Sequence, residues 1–163
     1  MTEKSEVNTV NYVGKMILAP MVRIGTLPTR LLAIDYGADL VYTEEIIDWR
    51  LLRSKRFVNE LLETVDYIDK TDESLILRLA PKREKGKLVL QIGTSDPIRA
   101  VKVATMVEED VDAIDVNMGC PKSFSLKGTS PMSSLTLETG KFKFAHFKYN
   151  ANYNLRALKD TKF

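Results

Sequence analysis

The sequence predicts an α/β fold built on a parallel sheet. Short apolar runs of strand length recur between residues 15 and 117, with helical patterns between them. The first of these read strand, helix, strand, the unit that joins parallel neighbours. The run Ala113-Ile-Asp-Val-Asn117 then breaks at Gly119 and presents the only cysteine, Cys120, at the C-terminal end of a buried strand. That end is where α/β folds place their chemistry.

Residues 1–15 read as a polar extension. Lys15-Met-Ile-Leu-Ala-Pro20 is a short apolar run ended by proline, a buried-strand signature. In the segment 25–37, Thr26 is placed to cap a helix, Pro28 is tolerated in its first turn, and Gly37 suits its stop. Leu27, Leu31 and Ile34 recur at helical spacing between them. Asp39-Leu-Val-Tyr-Thr43 is the next strand. Residues 46–62 are expected to be helical, carrying Trp49, Leu52, Phe57, Leu61 and Leu62. Leu75-Ile-Leu-Arg-Leu79 and Lys87-Leu-Val-Leu-Gln-Ile-Gly93 are strand-like around a polar turn, and predict a hairpin grafted on the sheet. Ser95-Asp-Pro97 opens a helix whose stripe is Ala100, Val103, Ala104 and Val107. Its acidic end, Glu108-Glu-Asp110, opposes the helix dipole. Four core strands alternating with helices result. After Gly128 the rhythm stops, although Lys141-Phe-Lys-Phe-Ala-His-Phe-Lys-Tyr149 is compatible with an exposed β ribbon.

The chain has 163 residues, room for one domain, with 44% hydrophobic and 28% charged residues, an ordinary globular composition. No apolar run approaches the ~18 residues of a membrane helix, and the polar N-terminus lacks a secretory h-region, so a cytoplasmic protein is expected. One cysteine and one histidine exclude an internal disulfide and the usual zinc sites, and no metal is assigned. The net charge of +2 divides unevenly: residues 129–163 hold six basic residues against two acids, and residues 1–128 hold 18 against 20. The body is therefore no strongly basic nucleic-acid surface by itself.

Leu18-Ala-Pro-Met-Val22, Gln91-Ile-Gly93 and Asp115-Val-Asn-Met-Gly-Cys-Pro-Lys122, in that order and each at a strand end, resemble the flavin-dependent tRNA-dihydrouridine synthases. The run Ala19-Pro-Met-Val-Arg-Ile-Gly-Thr-Leu-Pro28, with Tyr42-Thr-Glu-Glu45, is most similar to the eukaryotic type-two branch, which modifies the D-loop of cytoplasmic tRNA. The resemblance covers residues 15–128 and implies an FMN-binding (β/α)8 barrel that NADPH reduces and that then reduces a uridine. Such a barrel takes about 250 residues. The expectation is therefore the N-terminal part of a barrel, about four βα units over residues 16–128, followed by a divergent tail over 129–163 with little structure. The family's lysine and histidine that hold FMN, its phosphate loops and its helical tRNA-binding domain lie beyond the resemblance.

Carried over residue by residue, the resemblance makes Cys120 the general acid that protonates C5 of the uracil. A free thiol of pKa ~8.5 is mostly protonated at neutral pH and suits that role; taken alone, a lone cysteine also reads as a small buried hydrophobe. Pro20, Met21 and Val22 would line the flavin, Gln91 would meet its pyrimidine edge, and Glu45 would face it, with the adjacent Glu44 an open alternative. Asn117 would contact the uracil. Lys122 and Lys127 flank the same loop, and His146 matches no family position. A half barrel exposes two strand edges and one side of its interior, so this chain alone is expected to bind FMN weakly and turn over little or not at all. Two other readings stand beside it: a non-catalytic half barrel that pairs with a second copy or with the full-length enzyme, and an FMN barrel of the dihydroorotate-dehydrogenase kind.

Overall fold

The computed structural model describes residues 12–117 and the pair His146–Phe147. In chain order the elements are β1 (Ile17–Leu18), α1 (Leu27–Asp35), β2 (Leu40–Tyr42), β3 (Ile46–Ile47), α2 (Asp48–Arg53), β4 (Ser54–Asn59), β5 (Thr64–Asp69), β6 (Leu75–Leu79), α3 (Pro81–Glu84), β7 (Leu88–Gly93), α4 (Pro97–Val107), β8 (Ala113–Val116) and β9 (His146–Phe147).

Two sheets divide them. The main sheet runs β1-β2-β7-β8, all parallel, with β3 paired parallel to the end of β7 and β9 paired antiparallel to β8. Its parallel strands neighbour one another in chain order with no reversal, which is how a barrel wall is wound and a doubly wound sheet is not. The described residues form an open sheet. No helix among them is long and apolar enough to cross a membrane.

β7 is buried along its whole length, as a central parallel strand should be. Leu88, Leu90 and Ile92 pack with Val103 and Val107 of α4 in the principal core. Full burial of each such aliphatic side chain contributes about 1.5–3 kcal/mol. The alternate residue Val89 points to the other face, where it meets Tyr42, Ala113 and Tyr12.

The helix ends follow local chemistry. Thr26 occupies the N-cap of α1 without a side-chain cap bond; Pro28, two residues on, has no N–H to offer it. At the other end Gly37 adopts φ 94°, its N–H reaches Ile34 O, and Ala38 N–H reaches Ala33 O, a Schellman stop. The cap of α4 is Asp96, which accepts from the Ile98 and Arg99 amides. Asp39, ahead of β2, accepts from Met16 N and Lys15 Nζ. The Met16 amide first, and Lys15 after it, hold its carboxyl below the usual range.

The expected helix over 46–62 is a correction. Only Asp48–Arg53 is helical, and Ser54–Asn59 forms an edge strand of the second, antiparallel sheet, β4-β5-β6. Of the apolar stripe read there only Leu52 packs against the core; Leu61 is 91% exposed and Trp49, Phe57 and Leu62 are exposed too. Instead β4 pairs residue by residue with β5, whose Val65 and Tyr67 point inward. The expected hairpin of 75–79 with 87–93 is also not made. Leu75–Leu79 pairs with β5, and Leu88–Gly93 inserts between β2 and β8. The acidic end of α4 finds its partner in this second sheet. Asp110 accepts from Arg56 Nε at 2.8 Å and Nη2 at 2.7 Å, and from the Tyr67 hydroxyl.

Candidate functional site

The C-terminal ends of β1, β2, β7 and β8 lie at one end of the parallel sheet, and five of the seven residues singled out from the sequence are carried on the segments leaving β1, β2 and β8. A sixth, Gln91, is in β7, two residues before its end. The seventh, Cys120, lies outside the described residues, three positions beyond Asn117.

Pro20, Met21 and Val22 follow β1. Pro20 is half-buried, while Met21 and Val22 are exposed, Val22 at 49%. The loop they open is tight: Ile24 N and Gly25 N both donate to Met21 O, at 3.1 and 2.7 Å, and Arg23 takes the left-handed φ of 67°. It is pinned to the end of β2. Arg23 N donates to Glu44 Oε2 at 2.8 Å, and Glu44 N donates to Gly25 O at 3.3 Å. A Cβ on Gly25 would sit 2.6 Å from Glu44 N, so only glycine lets the two backbones approach this closely.

That geometry separates the two adjacent glutamates. Glu44 is committed to the loop after β1. Glu45 turns the other way, and a Cβ on Gly93 would lie 2.5 Å from its Oε1, so the carboxylate rests on the bare backbone at the end of β7. Glu45 Oε1 is shielded from solvent there. Glu45, not Glu44, therefore shares the strand-end region with Gln91.

Gln91 is 5% exposed and Asp115, its register partner on β8, is 1% exposed. Gln91 Nε2 donates to Asp115 Oδ2 at 2.7 Å, and Gln91 N donates to Thr43 Oγ1 at 3.1 Å. Thr43 Oγ1 in turn donates to Glu44 O at 2.8 Å. Asn117 is half-buried just past β8, and its N–H extends the ladder to Ile92 O at 2.9 Å. On the face of the sheet that Val89 lines, the Tyr42 hydroxyl is pushed above its ordinary pKa, by burial first and by the neighbouring Tyr12 hydroxyl second. It stays protonated throughout the neutral range.

Four participating residues were not singled out from the sequence. Asp115 had a signal, since an acid inside Ala113-Ile-Asp-Val116 is as anomalous as Gln91 in its own apolar strand. Thr43 and the buried pair Arg30–Glu84 had none. Arg30 Nη1 donates to Gly25 O at 2.7 Å, which ties the loop after β1 to α3 through Glu84. Among the described residues no group of three or more His, Cys, Asp and Glu side chains is arranged to hold a metal.

The strand ends thus gather a glycine-tight loop, a shielded carboxylate and a buried amide–carboxylate pair, in the place where an α/β sheet binds ligands. Residues 17–130 match the family model described as dihydrouridine synthase (Dus). The chain belongs to the dihydrouridine synthase family. It is 48% identical over 135 residues to the tRNA-dihydrouridine(20) synthase [NAD(P)+] of Saccharomyces cerevisiae, covering 80% of this chain and 35% of that protein. It is 44% identical over 120 residues to the protein of the same name from Schizosaccharomyces pombe, covering 72% of this chain and 25% of the relative. A further Schizosaccharomyces pombe relative, a tRNA-dihydrouridine(20a/20b) synthase, is 32% identical over 111 residues, covering 68% of this chain and 28% of that protein. The chain thus spans about a third or less of these relatives, and this family portion contains the whole strand-end constellation.

Proposed function

We propose that this chain carries the flavin-facing portion of an FMN-dependent tRNA-dihydrouridine synthase that uses NADPH to reduce a D-loop uridine of cytoplasmic tRNA. The observation that carries the reading is the convergence, in a chain of this family, of Glu45, Gln91 and the loop after β1 at one end of a sequentially ordered parallel sheet. That strand order fits the first wall of a (β/α)8 barrel.

The residues present fit a flavin. Gln91 keeps an amide oxygen to which no hydrogen bond runs among the described residues, as an acceptor for the ring edge. The exposed Met21 and Val22 offer apolar cover for a ring face. Gly93 leaves the space that seats the Glu45 carboxylate at the end of β7. These residues would hold FMN, which once reduced by NADPH would provide hydride for C6 of the uracil. The protein supplies the remaining proton. Cys120 holds it on sulfur and delivers it to C5, and Asn117, three residues before it, orients the base.

The test is to titrate the purified chain with FMN, follow the flavin absorbance, and then measure dihydrouridine formed from unmodified tRNA with NADPH. The expected result is a perturbed flavin spectrum and slow product formation that Cys120→Ala abolishes without releasing the flavin. Product formation that survives Cys120→Ala, or a chain with no affinity for FMN, would remove the proposal. Family membership favours this tRNA-directed reading over a dihydroorotate-dehydrogenase-like barrel.

One observation supports a second reading, pairing through the open side of the sheet. Among the described residues β1 is an edge strand, Met16 and Ile17 at its start are exposed, and so are Leu32 in α1 and Tyr36 just after it. Sedimentation over a range of concentrations tests it, and a monomer at every concentration sinks it.

A further inference from the structure

Gln91 and Asp115 stand opposite one another on adjacent parallel strands, each more than nine-tenths buried. Gln91 Nε2 donates to Asp115 Oδ2 at 2.7 Å, so the amide turns its NH2 group toward Asp115. The amide oxygen is then turned away from Asp115. Among the described residues nothing donates to Gln91 Oε1, and the second Nε2 hydrogen is likewise unused. Gln91 Oε1 is not among the buried side-chain atoms that lack a partner, so this oxygen is open to solvent at the strand ends and free to accept from a ligand.

We infer that Asp115 is a positioning residue that locks the Gln91 amide so that its oxygen and its second N–H face the bound ring as an acceptor and donor pair. That pair matches the edge of a cyclic amide or imide, in which an N–H lies beside a ring carbonyl. The pyrimidine ring of a flavin carries this edge, and so does a uracil base. The inference deepens the function proposed above and rests on it, because that reaction brings both rings to this end of the sheet. Reversed, the amide would meet the imide N–H with its own NH2 group, so Asp115 sets ligand selection without touching the ligand.

The test uses the full 163-residue chain. FMN, uridine 5′-monophosphate and their N3-methylated forms are titrated into the parent chain, Asp115→Asn and Gln91→Met, each with a thermal melt. In the parent, N3-methylation of the recognised ring weakens binding by roughly tenfold, the worth of one well-formed hydrogen bond in a buried site. The compound showing that ratio identifies which ring is held. Asp115→Asn can present either oxygen or nitrogen to Gln91, so its ratio falls to roughly threefold or less. Gln91→Met removes the acceptor and brings the ratio near one, and it carries the test if the Asp115 variant does not fold. A variant at Asp115 that binds both forms more weakly with the ratio unchanged makes this residue merely structural and overturns the inference. So does a parent chain with no discrimination, or one that binds neither ring. A chain that discriminates but forms no dihydrouridine keeps the inference and removes the enzymatic reading. One that forms dihydrouridine with a ratio indifferent to Asp115 does the opposite.

Discussion

Arg30→Met isolates the ion pair that ties the strand-end loop to the rest of the fold. Arg30 and Glu84 are each 1% exposed. Arg30 Nε lies 2.6 Å from Glu84 Oε1, Nη1 donates to Gly25 O at 2.7 Å, and Nη2 donates to Arg78 O at 2.7 Å. Glu84 Oε2 also accepts from Ala80 N at 2.7 Å. Methionine fills much of the volume but leaves the carboxylate buried against a single amide, and withdraws a donor from two carbonyls. Stranding one member of a buried pair costs about 3–5 kcal/mol, against a total domain stability of about 5–15 kcal/mol. The double variant Arg30→Met with Glu84→Met removes the stranded charge, and apolar replacement of a whole buried pair is often neutral. It should recover at least about 2 kcal/mol of the single-variant loss. Urea unfolding read by circular dichroism and by the fluorescence of Trp49, the only tryptophan, measures all three species. A single-variant loss under about 1 kcal/mol, or a double variant as unstable as the single one, refutes the reasoning from buried charge.

Gly25→Ala places a methyl 2.6 Å from Glu44 N, so one backbone must move; a loss of about 1–3 kcal/mol and weaker flavin binding are expected, and an unchanged melting temperature would mean the loop is loose. Asp96→Ala removes two cap bonds from α4 and should cost about 1 kcal/mol by urea titration. The fold should also be acid-sensitive. Hydrogen bonds from Arg78 hold Asp66 below the usual carboxylate range, and for Asp110 burial works upward but is outweighed by Arg56 and the Tyr67 hydroxyl. Carboxyls lowered in the folded state contribute stability that is present above the unfolded value of about 3.9 and lost as pH falls through the folded values. Unfolding free energy should therefore be flat with respect to these two acids above about pH 5 and fall below about pH 4. In Asp110→Asn the fall should be shallower; an identical acid slope would assign the sensitivity elsewhere.

The parallel sheet was legible because its signals are local. β1, β2 and β8 each lie within short apolar runs closed by proline, a polar residue or glycine, and Gly37 stops α1 through bonds to its own last turn. The antiparallel sheet was not, because its decisive contacts are distant in sequence or alternate too weakly. Trp49, Leu52, Phe57 and Leu61 imitate a helical stripe, yet β4 is held by pairing with β5 and by the bond from Arg56 to Asp110, 54 positions away. An acid at the end of α4 looks unfavourable to the helix taken alone and becomes favourable once that arginine arrives. The mistaken hairpin has the same origin. β6 and β7 are neighbours in sequence, but Arg30 reaches 54 positions along the chain to hold the intervening α3, and this leaves β7 free to lie between β2 and β8.

At the site, the sequence pointed to strand ends but left Glu44 and Glu45 as alternatives, since two adjacent carboxylates differ in nothing that spacing can read. The fold distinguishes them through two glycines. Gly25 presses its backbone onto Glu44 N and leaves that side chain to serve the Arg23 amide, whereas Gly93 opens the space that the Glu45 carboxylate occupies. Both glycines are far from the glutamates in sequence and act by lacking a side chain, so the motifs that contain them do not say which glutamate each one places. Gln91 is the opposite case. A polar residue within Leu-Val-Leu-Gln-Ile is anomalous on its face, and anomaly of that kind calls for a buried partner. The same rule applied to Ala113-Ile-Asp-Val116 would have paired Gln91 with Asp115, because two unexplained polar residues in neighbouring buried strands satisfy each other more cheaply than either can alone.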